Sequence, residues 1–303
     1  MRIFLIELSR RAPSKVPWTV LLGPVDILVI LLVSIVAGFV GALFGLGGGV
    51  LIIPFLTLVE GVPVPLAVGA SIVSVVATSS ASAATYVQDR LTNLRLGMFL
   101  EIGTVAGAIT GAFVAVFLPA SALFVLFGLI LLYATIIMIR ARGMDFPANV
   151  EPDKMSRILA LGSQYEDHSL NRVVKYEVTR TPLTVFIGYF AGIVSGLLGV
   201  GGGIINVPTM NLVSKVPVKV ASATSNFMIG VTAAASASVY LLRGDVHPLL
   251  AAPLIIGVAG GALIGTRVLK VTPPSRVKVA FGILLAVISL LMILKGFNLA
   301  VVL

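Results

Sequence analysis

The sequence predicts an all-α, polytopic membrane protein built from one unit used twice. Three observations carry that reading. Hydrophobic residues make up 58% of the 303-residue chain and charged residues only 11%, against roughly 25% charged in soluble globular proteins. Apolar runs of about 20 residues, long enough to cross ~30 Å of hydrocarbon, recur along most of the length. The chain also matches itself, without a gap, at an offset of 154 residues over about a hundred positions. Gly45-Leu46-Gly47-Gly48-Gly49 with Pro54 returns as Gly199-Val200-Gly201-Gly202-Gly203 with Pro208, and the register holds at Ser71/Ser225, Tyr86/Tyr240, Gly107/Gly261 and Gly128/Gly282. Similarity at fixed spacing marks one structural unit repeated.

Taken in order, residues 1–24 hold only a short apolar run, Ile3–Leu8, between charges. That is too short for a cleavable signal and predicts an interfacial segment. The first repeat, 25–140, contains four full-length candidates at 25–44, 65–87, 97–117 and 121–139. A polar stretch, 141–181, reads as a solvated cytoplasmic linker. The second repeat, 182–303, contains 183–199, 219–242, 249–269 and 276–294. Two shorter runs, 50–59 and 204–213, follow the glycine clusters and cannot span alone as straight helices. Each repeat is therefore expected to carry four long transmembrane helices plus one short helix after a glycine-rich break.

A formal charge of +9 would suggest nucleic acid in a soluble domain. In a membrane protein, Lys and Arg instead gather in cytoplasmic loops, so no nucleic-acid partner is expected. The chain has no cysteine and two histidines, and no paired His/Asp/Glu spacing suggests a metal; neither metal nor cofactor is expected. Charge does not decide topology. If each short run completes its preceding helix, the repeats are parallel; if it returns to its original side, they are inverted. Either scheme leaves six of the 21 positive charges on the disfavoured side. The second unit is positive where the first is neutral (Lys215, Lys219, Lys270 and Arg276 against Gly61, Pro65, Val116 and Ala122), which tilts the reading toward inversion.

The glycine clusters carry the functional argument. Each glycine costs roughly 0.8–1 kcal/mol relative to alanine inside a helix, so four in five positions predict unwinding. Proline suits a first helical turn, which predicts short helices beginning near Pro54 and Pro208. Unwound backbone at membrane depth survives only inside protein or beside a wet cavity. It exposes N–H groups next to a positive helix end, a combination that binds anions. Close helix packing accounts for Gly103, Gly107 and Gly111 but less well for three adjacent glycines. A dinucleotide-binding reading fails, because that fingerprint needs a preceding strand and a later acidic residue.

The doubled G-x-G-G-G-x4-P pattern, the unit used twice and the polar central linker resemble the sulfite exporter TauE/SafE family of membrane permeases, over residues 25–295. That resemblance implies a multi-pass protein of the cell inner membrane moving sulfite, organosulfonates or other small sulfur-containing anions. The expected substrate-binding set is Gly47, Gly48, Gly49, Gly201, Gly202, Gly203, Asn206, Ser71, Thr78, Ser225 and Asn226. Asn206 and Asn226 stand where the first repeat has Ile52 and Ile72, so repeat symmetry does not explain them. Glu101 and Arg267 lie about one turn inside their helices. Snorkelling to the interface is the simpler reading of both; if buried, they are candidates for proton coupling and anion counter-charge. The expected partners are a small inorganic or organic anion and the bilayer, with a homodimer left open. An anion channel is the alternative function. An intramembrane enzyme is a remoter one, for want of a nucleophile–base pair or metal ligands.

Overall fold

The eight long apolar runs and the two short ones after the glycine clusters are helical in the computed structural model, which describes residues 24–140, 150–167, 172–271 and 274–297. In the first repeat α1 (Pro24–Phe44) is followed by a short α2 (Gly49–Pro54), then by α3 (Val64–Gln88), α4 (Leu94–Val114) and α5 (Ala120–Arg140). In the second, α7 (Thr181–Leu198), a short α8 (Gly203–Leu212), α9 (Val218–Leu242), α10 (Pro248–Val271) and α11 (Pro274–Gly296) repeat that order. Between them lie α6 (Lys154–Ile158), β1 (Ser163–Asp167) and β2 (Arg172–Tyr176). Among the described residues seven helices are long and apolar enough to cross a membrane. In α11 the described apolar part is Leu285–Gly296. Large apolar side chains such as Leu28, Leu32, Ile102, Phe186 and Ile256 are exposed along the helices, as a lipid-facing surface requires. The predicted interfacial segment 1–24, Pro24 apart, lies outside the described residues.

The two repeats interlock. Helix α1 packs mainly on α10 of the other repeat, and α7 mainly on α4, while α3 meets α9 between them and α5 pairs with α11. Small residues let these backbones touch. Cβ atoms on Gly107 and Gly111 would overlap the carbonyl oxygens of Tyr189 and Ile193 of α7, and one on Gly261 would overlap that of Ile35 of α1. The glycines spaced by four are thus packing residues.

The short helices turn back instead of continuing. Leu46 N–H donates to Gly41 O (2.9 Å), and a Cβ on Gly48 would sit 3.0 Å from Ala37 O, so the chain past the break runs back alongside α1. In the second repeat the loop after α8 reaches the start of α7: Thr179 N–H donates to Ser214 O (3.2 Å), and the hydroxyls of Thr184 and Ser214 are 2.6 Å apart. In the first repeat Glu60, at the matching position, has its carboxyl raised by burial and then by the charge of Asp26 near the start of α1.

Two expectations are corrected here. The short helices begin at Gly49 and Gly203, directly after the left-handed Gly48 and Gly202, and not near the prolines. Pro54 and Pro208 sit inside them. An internal proline removes one i→i−4 bond, and after Pro54 the chain relaxes into a π-helical turn, Phe55–Val59. The central stretch is also more than a solvated connection. Its strands pair antiparallel, Ser163 with Tyr176 through Asp167 with Arg172, and Leu161, Tyr165, Tyr176 and Val178 are buried. Asp153 caps both α6 and α7, accepting from Ser156 N–H (3.3 Å) and from the Thr181 hydroxyl (2.5 Å).

Candidate functional site

Both glycine clusters are broken as the sequence predicts. Gly45, Gly47 and Gly48 have φ of +71°, +79° and +82°, and Gly199, Gly201 and Gly202 have +68°, +81° and +72°. This left-handed region is costly for any residue with a Cβ. The two breaks lie against each other. A Cβ on Gly49 would overlap Gly199 O, and one on Gly203 would overlap Gly45 O. Val75 and Ile229, equivalent positions of α3 and α9, cover both: a Cβ on Gly47 would come 2.9 Å from Val75 Cγ1, and one on Gly201 2.7 Å from Ile229 Cγ2.

The same positions therefore serve unwinding and close packing at once. The carbonyls that open each break are satisfied across the pair. Ser71 Oγ donates to Gly199 O (3.0 Å) and Ser225 Oγ donates to Gly45 O (2.9 Å). One turn earlier, Tyr86 OH donates to Ala42 O (3.0 Å) and Tyr240 OH to Gly196 O (2.8 Å). The amides behave oppositely. Among the described residues, no hydrogen bond is formed by the N–H groups of Gly47 to Val50 or of Gly201 to Ile204. These are the orphan donors of a helix start joined to those of the unwound segment. Beside the Gly45 and Gly199 carbonyls that the serines engage, these amides leave unpartnered donors at the start of each short helix.

The predicted site residues divide accordingly. Gly47, Gly48 and Gly49 come together with Gly201, Gly202 and Gly203. Ser71 and Ser225 join them, but their protons are engaged on break carbonyls. Thr78 lies beside Gly48, although its hydroxyl donates back to Ser74 O in its own helix (3.1 Å). Asn226 is buried, and its Nδ2 donates to Ala42 O (2.8 Å) and Ser222 O (3.1 Å), while its Oδ1 has no partner among the described residues. Asn206 is buried in α8. Glu101 is half-buried, with Oε1 enclosed and unpartnered among the described residues. Arg267 is exposed on α10 and does not join the breaks.

Sequence reasoning missed the tyrosine pair, whose repeat register was visible but whose hydroxyls had no assigned partner. It also missed Asn93. This residue caps α4 by accepting from Leu96 N–H (3.0 Å), and its Nδ2 donates to Leu161 O (2.8 Å) and Tyr176 OH (3.0 Å) of the linker. Its own N–H donates to Thr224 Oγ1 (3.0 Å), next to Ser225. Burial pushes the Tyr176 hydroxyl up to about 12, against the pull of its bonds to Asn93 and Ser163.

A polytopic helical protein with broken helices at corresponding positions of two repeats has the architecture of a membrane transport protein. Comparison with known sequences specifies the class: the chain belongs to the Sulfite exporter TauE/SafE family, whose profile matches residues 30–292. It is 26% identical over 276 residues to the probable membrane transporter protein YunE of Bacillus subtilis, covering 88% of this chain and 97% of that one. A probable membrane transporter protein of Methanocaldococcus jannaschii, MJ0441, is 26% identical over 280 residues, covering 88% and 94%. No solved structure matches the chain. The protein is a multi-pass membrane transporter, not an enzyme.

Proposed function

We propose that the chain is a secondary permease for a small anion, sulfite, an organosulfonate or another sulfur-containing anion, working by alternating access around the paired breaks. The observation that carries this reading is the set of bare amides at Gly47–Val50 and Gly201–Ile204, beside carbonyls that Ser71 and Ser225 already occupy. An oxyanion accepts hydrogen bonds from such amides without needing a cationic side chain. The site then stays neutral when empty, which suits a carrier that must reorient unloaded. Asn226, with a free Oδ1, and Thr78 flank the breaks as polar neighbours of the path, and Asn206 stands three residues beyond Gly203.

Inverted repeats complete the proposal. The return of the short helices, anchored in the second repeat by Ser214 against Thr184, gives every repeat five legs, so the second repeat starts on the side opposite to the first. The linker, Arg90, Arg95, Lys215, Lys219, Arg267 and Lys270 then share one face, the cytoplasmic one in this reading, and family membership supports the cell inner membrane as its place. Because the chain has no native cysteine, single cysteines at positions 92 and 216 test this directly. Labelling of both from one face supports inversion, and labelling from opposite faces contradicts it.

The transport reading is tested in proteoliposomes offered sulfite, sulfate, thiosulfate, sulfonates and carboxylates, with and without a proton gradient. Saturable uptake of a sulfur anion is expected. Absence of uptake together with absence of any ligand-induced rise in thermal stability contradicts it. Glu101 is the carboxylate for proton coupling if the gradient drives uptake, and Glu101→Gln then abolishes the gradient dependence.

A further inference from the structure

The tightest helix pairs run across the repeats, not within them. In the first repeat α1 and α4 share no extensive interface, and neither do α7 and α10 in the second. Each lies instead in a glycine groove of a helix from the other repeat. Between α1 and α10, Cβ atoms on Gly38, Gly257 and Gly265 would overlap Val258 O, Leu31 O and Phe39 O. Between α4 and α7, Cβ atoms on Gly192 and Gly196 would overlap Thr104 O and Ala108 O. Backbones seated this closely cannot slide without driving a carbonyl over a neighbouring side chain.

The remaining helices each join one of these pairs. Helix α3 packs on α10, and a Cβ on Gly69 would overlap Asp245 O in the loop leading into α10. Helix α9 packs on α4, where Gly97 faces Thr224 and Phe227. The short helices follow their neighbours, α2 on α1 and α3, and α8 on α7 and α9. The linker braces the second group: Asn93 at the start of α4 bonds both Leu161 O and Thr224 of α9, and Asp153 bonds Thr181 of α7. Two bodies result, α1–α2–α3–α10 and α7–α8–α9–α4. Each draws on both repeats, and the 154-residue offset maps one onto the other.

The boundary between the bodies is built differently. Helices α3 and α9 meet there through side chains: Val75 and Ile229 over the breaks, and the Ser79 hydroxyl on Asn226 O. Contacts of this kind allow the small sliding steps of a shear motion. A cavity of about 70 Å3 also lies on the boundary, with Phe44 and Leu46 of the first body facing Ile204, Val207 and Ser222 of the second. The matching flank is closed: Val207, Pro208 and Val218 are half-buried, whereas their counterparts Ile53, Pro54 and Val64 are buried. We propose that the units moving against each other during transport are these two mixed bodies and not the two repeats, with the paired breaks at their pivot. This inference rests on the alternating-access reading and deepens it by naming what moves.

Spin labels separate the two partitions, on the exposed, lipid-facing positions Leu32 of α1, Ile102 of α4, Phe186 of α7 and Ile256 of α10. On adding sulfite, the Leu32–Ile256 and Ile102–Phe186 distances should hold, while Leu32–Ile102 and Phe186–Ile256 should shift. The reverse pattern, or four unchanged distances in a protein that exchanges sulfite, overturns the proposal. A covalent tether gives an independent reading. Thr104 Cγ2 is 3.3 Å from a Cβ on Gly188, within reach of a disulfide, whose Cβ atoms lie about 3.5–4.5 Å apart. Thr104→Cys with Gly188→Cys therefore ties the repeats together inside one body. The oxidised pair should exchange labelled sulfite across proteoliposomes as fast as the reduced pair. Loss of exchange on oxidation, restored by reductant, overturns the proposal and leaves the permease reading intact. Should the cysteine pair fail to fold, the labels on the lipid-facing surface still decide. No sulfite flux through the unmodified chain overturns the permease reading itself.

Discussion

The two breaks are nearly the same object, yet their surroundings are not. Gly45, Gly47 and Gly48 repeat the φ angles of Gly199, Gly201 and Gly202 to within about 10°. The serine clamps and the tyrosine bonds are likewise mirrored. Around this symmetric centre the second repeat has Asn226 for Ile72 and Ser222 for Val68 and a cavity on its flank, while Asn93 of the first repeat holds the linker through Leu161 O and Tyr176 OH. The difference separates two tasks. Symmetric parts build the break and its bare donors; asymmetric parts determine which side of the centre is loosened.

The largest effect expected from breaking the comparison comes where the two breaks touch. Gly49→Ala and Gly203→Ala each drive a methyl group into a carbonyl of the opposite break, the nearest atom in both cases being backbone that cannot swing aside. Overpacking of this kind costs about 3 kcal/mol or more when nothing can yield. Both variants should lose the folded protein in detergent thermal denaturation, and to similar degrees. Gly260→Ala is the control. That position has nothing within 4 Å of an added Cβ and should be neutral or gain about 0.4–1 kcal/mol.

A smaller effect sharpens the asymmetry. Asn226→Ile gives the second repeat the residue of the first. It deletes two hydrogen bonds, to Ala42 O and Ser222 O, and should cost about 1–3 kcal/mol for the two together, while Ala42 O keeps its bond from Tyr86 OH. The clamp carbonyls test symmetry most finely. Ser71→Ala and Ser225→Ala each remove one bond to a break carbonyl, about 1 kcal/mol apiece. Their melting-temperature shifts should agree, and unequal shifts would show that the two breaks are not equivalent.

Much of this was legible from the chain. The eight long spans fell within three residues of the observed helices, because a run of apolar residues at membrane length has few other structures open to it. Unwinding at the glycines followed from their number. The start of the short helices did not follow, because Pro54 and Pro208 also suit a first turn, whereas the left-handed Gly48 and Gly202 end the break sooner. The hairpin was hidden by its charge. Tyr165, Val174 and Tyr176 do carry a two-residue alternation, but over five residues that signal is short. The serines were named as solute donors, yet their carbonyl partners lie 128 and 180 residues away in sequence, a distance that only tertiary structure bridges. The cavity was illegible because it exists in the difference between two halves with matching sequence pattern.

The most direct test of paired breaks acting as one reorienting anion site is counterflow. Proteoliposomes preloaded with unlabelled sulfite should take up labelled sulfite faster than empty ones, with saturation, as a carrier exposing one site to each face in turn requires. Equal rates in loaded and empty vesicles, accompanied by single-channel current, would contradict that account and define a pore.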